Sequence, residues 1–314
     1  MHNFKAKVVQ VADSNDITPV VTQYRPTHVV VGALWVPPEK FQQLQRLHPH
    51  VQWIVRNHSE MPFVSMEGIA VDWLLRYVDN DNVRVACNSP RALAALRHLV
   101  ASAHPDWALD EIRDSVIYLP NTYHSWAHDY HPHPVHKLSD ELHVGLFGAI
   151  RPLKNHLNQA IAAIMLADSL GKTLRLHING SRLDGNADPI LKNLRQLFKR
   201  HPSHSLFEHS WLSHNSFLGL VKEMDIGLQC SFSETFNIAA ADFVTMGVPV
   251  VGSPEIPWLW SWSTADPTDT DAIYRAMRLN YRLGKWGIPQ VINKDALRRY
   301  SYHSEDIWLD FLEE

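Results

Sequence analysis

Residues 224–259, MDIGLQCSFSETFNIAAADFVTMGVPVVGSPEIPWL, carry the clearest pattern of secondary structure in the chain. The apolar run 226–230 has the length of a strand, and the apolar-rich segment 236–246 predicts a helix. Gly247 ends that helix as glycine commonly does at the C′ position, and residues 248–251 predict a second buried strand. A strand, a tight loop, a helix and a second strand form a βαβ unit, which predicts a parallel sheet with a right-handed crossover.

Polar residues lie between the first strand and the helix, where parallel sheets bind ligands at helix N-termini. They are Ser231, Ser233, Glu234 and Thr235, and Asp242 follows Glu234 by eight positions. In one continuous helix the two acids would lie about 12 Å apart along the axis and on nearly one face. That separation suits a ligand with a sugar at one end, a diphosphate in the middle and a ribose at the other. The alternative is an ordinary first-turn acid followed by a solvated helix face.

The same residues resemble a known signature. Retaining nucleotide-sugar glycosyltransferases of the GT-B fold, of the family 4-like E-x7-E type, carry S-x-x-E-G-F-G followed by E-A-x-A-x-G-x-P-V-V. This chain reads S-F-S-E-T-F-N and then D-F-V-T-M-G-V-P-V-V, so that Asp242 replaces a glutamate, and Thr235 and Asn237 replace two glycines. The resemblance covers residues 142–259 well and the first part of the chain only by architecture. It implies an α/β protein with two Rossmann-like doubly wound domains that face each other across a cleft.

Four segments make up the predicted domain organisation. Residues 1–125 alternate strand-like and helix-like patterns and predict a Rossmann-like domain on the acceptor side. Residues 126–140 are rich in His and Pro without periodicity, which predicts a linker. Residues 141–298 alternate again and predict the nucleotide-sugar-binding domain. In the family, the last helix, here residues 299–314, returns to the first domain.

The resemblance implies that Glu234 is catalytic and binds hydroxyl groups of the donor sugar. It also implies further catalytic residues. Arg151 and Lys154 follow the first strand of the second domain, where the family carries a basic pair, G-R-x4-K, that binds the donor diphosphate. A departing diphosphate gains negative charge, which two cations stabilise; otherwise both would be ordinary solvated side chains. His58 follows the predicted strand 51–56, where a histidine of similar enzymes touches the donor sugar or the acceptor, although a surface histidine is an equal alternative among 20 in the chain. Glu60 is a candidate for binding an acceptor hydroxyl.

The resemblance implies further donor-binding residues at the start of the predicted helix and after strand ends. Asp242 is expected to bind the ribose, while Trp211 and Leu212 stand where the family holds the base, with packing as the alternative for Trp211. The full predicted set is Gly148, Gly180, Trp211, Leu212, Ser233, Thr235, Phe236, Asn237 and Asp242.

Composition excludes several classes of protein. The 314 residues carry a net charge of −4, which gives no basic footprint for nucleic acid. Cys87 and Cys230, the two cysteines, lie in predicted strands as buried thiols of a reducing compartment. The sequence has neither a membrane-length apolar run nor a signal peptide, so we expect a cytoplasmic protein without membrane insertion. It also lacks the G-x-G-x-x-G, P-loop and G-x-S-x-G motifs, which disfavours dehydrogenases, NTPases and hydrolases.

We predict no metal site and no cofactor. His128, His131, His133 and His136 match no zinc spacing and lie in the Pro-broken linker. Asp269, in a D-x-D string, is expected to begin a helix.

The resemblance implies retaining, metal-independent transfer of a hexosyl or pentosyl group from a UDP- or GDP-linked sugar to a hydroxyl acceptor. The first domain is short and lacks the Gly-rich opening loop common in the family, which predicts an open acceptor site. Such a site suits a bulky acceptor, either a hydroxylated base in DNA, as for a small viral or phage-type member, or a surface polysaccharide. The alternatives are a sugar-nucleotide epimerase and a non-catalytic sugar-nucleotide sensor. The sequence leaves open the base and sugar of the donor, the acceptor, the oligomeric state and any closure of the first domain.

Overall fold

A computed structural model of the chain describes residues 4–123, 139–181, 184 and 187–313. The chain divides into two compact units, residues 1–121 with 304–314, and residues 122–303. Most of the predicted linker, including its four histidines, lies outside the described residues.

The first unit contains a parallel sheet with the sequential strand order β1-β2-β3-β4. The strands are β1 (His28–Gly32), β2 (Gln52–Asn57), β3 (Val83–Cys87) and β4 (Val116–Tyr118). The helices are α1 (Ile17–Tyr24), α2 (Pro38–Leu47), α3 (Met61–Val64), α4 (Ala70–Val78), α5 (Pro90–Ala103) and α6 (Leu109–Ser115). The alternation predicted for residues 1–125 is therefore present from β1 to β4.

Aromatic side chains fill the core of this unit. Trp53 on β2, Phe41 on α2 and Tyr77 on α4 are fully buried. Phe41 meets the other two rings edge-on, with centroids 5.9 Å from Trp53 and 5.5 Å from Tyr77. The Tyr77 hydroxyl donates a hydrogen bond to the Val36 carbonyl oxygen at 2.5 Å, so its buried polar atom is satisfied.

The second unit contains a parallel sheet with the order β7-β6-β5-β8-β9. The strands are β5 (Glu141–Leu146), β6 (Thr173–Ile178), β7 (Ser205–Glu208), β8 (Ile226–Gln229) and β9 (Val250–Gly252). The helices are α7 (His156–Leu170), α8 (Asp188–Lys199), α9 (His214–Lys222), α10 (Ile238–Thr245), α11 (Thr270–Gly284) and α12 (Ile288–Glu313). The chain enters at β5, adds β6 and β7 on one side and then adds β8 and β9 on the other. The strand order therefore reverses between β5 and β8.

The predicted βαβ unit is present as β8, α10 and β9, with β8 and β9 paired in parallel. Gly247 has a φ of +70° and ends α10. Its N–H donates to the Val244 carbonyl at 3.1 Å, and the Val248 N–H donates to the Phe243 carbonyl at 2.9 Å. These two bonds are those of a Schellman motif, so the glycine stop is confirmed.

Two glycines let α10 approach the sheet closely at the reversal. A Cβ atom at Gly145 of β5 would lie 2.7 Å from the Phe243 ring, and one at Gly227 of β8 would lie 2.6 Å from it. Because Gly145 and Gly227 have no side chains, the buried Phe243 ring can pack directly against the backbone of both strands. This packing fixes α10 over the two strands between which the strand order reverses.

Helix α12 is a single 26-residue helix, of which the sequence predicted only the end. The part from Ser304 onwards belongs to the first unit, where the Trp308 indole donates to the Pro120 carbonyl at 2.8 Å. Its earlier turns bury polar residues such as Asn293 and Ser301, which obscures the hydrophobic period. Among the described residues, the helices include none that is both long and apolar enough to cross a membrane.

Candidate active site

The loops that follow β5 and β8 leave the sheet at the point where its strand order reverses. Open parallel sheets bind ligands beyond the carboxyl ends of their strands at such a point. The two loops are bonded to each other, because the Asn155 side-chain amide donates to the Cys230 carbonyl at 3.0 Å. The Phe232 N–H donates to the Leu153 carbonyl at 2.8 Å. The pair of loops therefore forms one rigid support.

Gln159 of α7 is fully buried and forms hydrogen bonds with both loops. Its side-chain oxygen accepts from the Cys230 N–H at 2.7 Å. Its side-chain nitrogen donates to the Lys154 carbonyl at 2.8 Å. One side chain thus fixes the backbone from which Lys154 and Glu234 extend.

Lys154 and Glu234 form an ion pair between the Lys154 Nζ and the Glu234 Oε1. Their side chains are 25% and 8% exposed, so the pair reaches the surface mainly through the lysine. An ammonium group binds phosphate oxygens, and a carboxylate accepts hydrogen bonds from hydroxyl groups. Side by side, the two groups can bind the phosphate and the sugar ends of one ligand.

A chain of amides supports the carboxylate. The Asn237 side chain donates to Glu234 Oε1 at 3.0 Å and to Gln229 Oε1 at 3.0 Å. The Gln229 side chain in turn donates to the Phe147 carbonyl at 2.9 Å. These bonds join the Glu234 carboxylate to the loop that follows β5.

Asn237 also decides where the helix begins. Its φ is +63°, and its side-chain oxygen accepts from the Ala240 N–H at 2.8 Å as an N-cap. Asparagine is one of the few residues that tolerates this left-handed backbone. Glu234 therefore stays outside α10, and the arrangement of both acids on one face of a continuous helix is not realised.

Asp242 lies in a different cluster. Its Oδ1 accepts from the Tyr123 hydroxyl at 2.5 Å and from His214 Nε2 at 2.9 Å, and its side chain is 3% exposed. Burial raises the pKa of Asp242, and the two hydrogen bonds oppose that shift. Burial and the Asp242 charge raise the pKa of Tyr123, so the phenol keeps the proton that it donates. The carboxyl predicted to bind a ribose thus already holds two protein donors.

Arg151 is also paired within the second unit. Its Nε and Nη2 lie 2.9 and 2.6 Å from Asp184 Oδ2. Asp184 belongs to the segment that follows β6, and its N–H donates to the Ile150 carbonyl at 3.1 Å. Lys154 therefore pairs with Glu234, and Arg151 pairs with Asp184.

The two predicted glycines occupy strand ends. Gly148 follows β5 with a φ of +124°, and its N–H donates to the Asn179 side-chain oxygen at 2.8 Å. Gly180 follows β6, where a Cβ atom would lie 2.7 Å from the Cβ of Glu208. The first glycine supplies a backbone conformation, and the second allows close packing.

Of the residues around Glu234, Ser233 is half-buried, and Thr235 is nearly buried. Phe236 is 1% exposed; its ring stacks on Tyr123 with centroids 6.3 Å apart, and its carbonyl accepts from the Trp258 indole at 2.9 Å. Phe236 therefore packs inward, so that only its backbone amide could face a ligand.

Trp211 and Leu212 follow β7. The Trp211 side chain is 62% exposed, which disfavours core packing as its explanation, and Leu212 is half-buried. Both lie beyond the carboxyl end of their strand, where the base of the donor was predicted.

His58 and Glu60 belong to the first unit. His58 follows β2 and is exposed, although nearby protein atoms and the Arg56 charge lower its pKa to about 4. Glu60 is buried and accepts from the Ser89 hydroxyl at 2.5 Å. Ser89 in turn caps α5 through the Ala92 N–H at 3.0 Å, so Glu60 supports a helix N-terminus.

Sequence reasoning missed Tyr123 and His214, which flank Asp242, and Asn179, which orients Gly148. Tyr123 comes 119 positions before its partner, too far for any local pattern to connect the two. His214 had a weak signal, since it begins a helix directly after a strand end.

Among the described residues, no group of three or more His, Cys, Asp or Glu side chains is arranged to hold a metal ion. Asp269 caps α11 by accepting from the Ala272 N–H at 3.0 Å, which confirms its predicted structural role. The histidines of the predicted linker lie outside the described residues.

Neither a protein-family model nor a curated protein sequence matches this chain. Solved structures, by contrast, are similar over 96% of it. A sucrose-phosphate synthase from Thermosynechococcus elongatus has 17% identity, a TM-score of 0.67 and 75% of its length covered. The N-terminal domain of a Candida albicans trehalose-6-phosphate phosphatase has 10% identity, a TM-score of 0.71 and 73% of its length covered. A trehalose-6-phosphate protein from E. coli, bound with UDP-2-fluoro glucose, has 9% identity, a TM-score of 0.68 and 76% of its length covered.

Identities this low establish the architecture alone. The chain contains two parallel sheets flanked by helices, and the strand order of the second sheet reverses between β5 and β8. The similarity to the solved structures over nearly the whole chain agrees with this architecture. The chain has the GT-B fold.

Proposed function

We propose that this protein is a retaining glycosyltransferase that moves a sugar from a nucleotide-diphosphate sugar to a hydroxyl acceptor without a metal ion. The observation that carries the proposal is the Lys154–Glu234 pair at the carboxyl ends of β5 and β8. A cation for phosphate and a carboxylate for sugar hydroxyls stand together at the point where this fold class binds its ligands. The similar E. coli structure holds UDP-2-fluoro glucose, which supports a nucleotide sugar as the donor.

In the proposed complex, Lys154 and the backbone amides of residues 235–237 bind the donor diphosphate. Arg151 joins them by exchanging the Asp184 carboxylate for phosphate oxygens, since both oxyanions accept paired hydrogen bonds from a guanidinium. Glu234 accepts hydrogen bonds from the sugar hydroxyls. The donor is UDP- or GDP-linked.

The proposed reaction breaks the bond between the anomeric carbon and the diphosphate oxygen and forms a bond from that carbon to the acceptor oxygen. Lys154 and Arg151 stabilise the charge that develops on the departing diphosphate. Glu234 is held by a lysine and an amide, which suits hydrogen bonding better than nucleophilic attack. The acceptor therefore attacks on the face that the diphosphate leaves, and a phosphate oxygen takes the acceptor proton.

The acceptor in this proposal is a hydroxyl group of a glycan or small sugar. A hydroxylated DNA base, as used by a viral-type enzyme, is less well supported because the net charge of −4 offers no basic footprint. The similar structures of trehalose-phosphate and sucrose-phosphate synthases make sugar phosphates the first acceptors to test.

A second candidate is a sugar-nucleotide sensor without turnover. The observation that favours it is that Lys154, Arg151 and Asp242 each have an internal partner of opposite charge or a hydrogen-bond donor. A ligand would then act by exchanging these contacts.

The test uses a panel of UDP- and GDP-sugars with and without acceptors, which include sugar phosphates, a glycan and DNA that contains hydroxymethylated cytosine. Release of nucleoside diphosphate only when an acceptor is present, with the anomeric configuration retained in the product, is the expected result. A new donor isomer would mean an epimerase, and a raised melting temperature without turnover would mean a sensor. Failure of every nucleotide sugar to bind would overturn the proposal.

A further inference from the structure

His214 is the solvent-facing member of the Asp242 cluster. It is the first residue of α9, directly after Ser213, whose side chain caps that helix. The His214 side chain is 61% exposed, whereas that of Asp242 is 3% exposed. The imidazole is therefore far more accessible to a ligand than the carboxyl is.

The cluster fixes which nitrogen of His214 carries the proton. When Asp242 is ionised, its carboxylate only accepts hydrogen bonds, so Nε2, 2.9 Å from Asp242 Oδ1, is then the donor. In a neutral imidazole the other nitrogen, Nδ1, then presents a lone pair. Within the described part of the chain, Nδ1 has no hydrogen-bond partner.

Tyr123 keeps the carboxylate in place. It donates to the same Oδ1, and its own backbone is tied to α12, because the Ser301 hydroxyl accepts from the Tyr123 N–H at 3.1 Å and donates to the Tyr123 carbonyl at 3.0 Å. Its ring packs on Phe236. Two segments distant in sequence therefore position a buried acid, and His214 is its solvent-exposed partner.

The lone pair at His214 Nδ1 can accept a hydrogen bond from a hydroxyl group of a ligand. A phosphate oxygen needs a donor, which a lone pair at Nδ1 cannot supply, whereas a hydroxyl can donate to it. His214 also follows the carboxyl end of β7, three positions after the exposed Trp211, on the same edge of the sheet as Lys154 and Glu234. In a nucleotide sugar, the hydroxyl groups on the nucleoside side of the diphosphate are those of the ribose.

We propose that His214 accepts a hydrogen bond from a ribose hydroxyl of the donor nucleotide, and that Asp242 is the positioning residue that orients the imidazole. The inference rests on the proposed function. It replaces direct binding of ribose by Asp242, which the burial of that carboxyl disfavours.

The test measures the affinity of the nucleoside diphosphate that binds best, UDP or GDP, and of its 2′-deoxy and 3′-deoxy analogues. In the wild type, removal of the bonded hydroxyl should weaken binding about tenfold, which is the size of one hydrogen bond to a neutral group. His214→Ala should weaken binding of the parent nucleotide about tenfold and lose the discrimination against that analogue. His214 is exposed, so this variant should fold, and its melting curve verifies that.

Conservative variants separate binding of the ribose from support of the fold. His214→Gln keeps a donor for Asp242 but lacks the outward acceptor, so it should behave like His214→Ala. His214→Asn keeps an acceptor near the position of Nδ1 and should retain part of the discrimination. His303→Ala, at an exposed histidine of α12, is the matched control and should bind like the wild type.

The outcomes distinguish the two proposals. If the wild type binds no nucleoside diphosphate, the proposed function fails and the inference fails with it. If the wild type binds the nucleotide but His214→Ala discriminates against the deoxy analogues as strongly as the wild type does, only the role of His214 is overturned.

Discussion

Glu234 and Asp242 are separated by seven residues and are both largely buried, yet their partners differ in kind. Glu234 lies in a loop and pairs with Lys154, through which the ion pair reaches the surface. Asp242 lies inside α10, is 2% exposed and accepts from a phenol and an imidazole. A spacing of acids therefore has a geometric meaning only if the intervening residues form one helix. Here Asn237, with its left-handed backbone, starts the helix between them.

The two sheets differ in a related way. In the first unit the described strands follow one another in sequence, whereas in the second the order reverses between β5 and β8. Lys154 and Glu234 follow the two strands at the reversal, and that position makes them candidates for the chemistry. Asp242 instead faces α9 and the segment that contains Tyr123. We therefore expect substitutions at the first pair to affect turnover, and substitutions in the second cluster to affect stability and nucleotide affinity.

The largest expected effect is on turnover at the Lys154–Glu234 pair. Lys154→Met removes a charge that stabilises the departing diphosphate, and Glu234→Gln removes the charged acceptor for sugar hydroxyls. Each should lower kcat/KM about 1,000-fold, in line with the loss of one group that stabilises a transition state. Steady-state kinetics with the donor identified in the panel measures this.

The control for this pair is Lys192→Ala on α8, where the lysine is exposed and should be dispensable. Lys192→Ala should keep the melting temperature of the wild type, and in Glu234→Gln the new side-chain amide oxygen can still accept the hydrogen bond from Asn237. Lys154→Met should lower the melting temperature, because it leaves the largely buried Glu234 carboxylate without its cation. Kinetics are therefore measured well below the melting temperature of every variant. Retention of more than a tenth of the wild-type kcat/KM by both Lys154→Met and Glu234→Gln would refute the assignment of the site.

The next effect is on stability at Asp242. Asp242→Ala leaves the Tyr123 hydroxyl without its acceptor inside the protein, and should lower the free energy of unfolding by about 3 kcal/mol. Tyr123→Phe removes one hydrogen-bond donor, but Asp242 keeps the hydrogen bond with His214. This variant should lower the free energy of unfolding by about 1 kcal/mol. Urea unfolding measures both changes.

A double-mutant cycle sharpens this second prediction. Because the two residues share one hydrogen bond, Tyr123→Phe should cost much less when Asp242 is already alanine. Additive effects would mean that the contact contributes nothing to stability, and the contrast between the two acids would lose its energetic basis.

A smaller effect is expected at Asn237, which separates the two acids. Asn237→Ala removes the cap and places a less tolerant residue at a φ of +63°, at a cost of about 2 kcal/mol in unfolding free energy. Asn237→Gly relieves the backbone and should cost about half as much. The alanine variant should also weaken nucleotide-sugar binding, because Glu234 loses its amide partner. Equal stability of both variants would show that the backbone conformation is not what sets the start of α10.

The smallest effect is a pH dependence next to Lys154. His156 is buried at the start of α7, and burial, followed by the Lys154 charge, lowers its pKa to about 4. Between about pH 6.5 and 4 the unfolded chain binds a proton at this histidine more readily than the folded chain, so stability is lost as the pH falls through that range. Between pH 7 and 5 the loss due to His156 should be about 1 to 2 kcal/mol.

His156→Asn tests this by removing the titrating group. The unfolding free energy of the wild type minus that of His156→Asn should become smaller from pH 7 to pH 5. Other buried histidines, such as His177, whose pKa is also lowered, are present in both proteins, so their contributions cancel in this difference. The exposed His303→Asn provides the control. A difference that stays constant with pH would show that His156 does not resist protonation in the folded protein.

Local patterns in the sequence were enough to predict the βαβ unit and the Gly247 stop, because both depend on residues that are neighbours in the chain. The start of α10 was predicted too early because an apolar Phe236 continues the pattern, while the backbone of Asn237 breaks it. Most of α12 was missed because its buried face includes Asn293 and Ser301, which serve as hydrogen-bond partners for distant backbone. Side-chain partners such as Tyr123 come from far along the chain, and only the fold brings them together.

The assignment of Lys154 to the diphosphate and of Glu234 to the sugar of one nucleotide-sugar molecule underlies the proposed function. Calorimetric titration of the nucleoside diphosphate and of the intact nucleotide sugar into the wild type, Lys154→Met and Glu234→Gln tests it most directly. We predict that Lys154→Met loses at least tenfold in affinity for both ligands, whereas Glu234→Gln binds the diphosphate normally and loses the additional affinity that the sugar provides. Equal affinities of all three proteins for both ligands would contradict the claim.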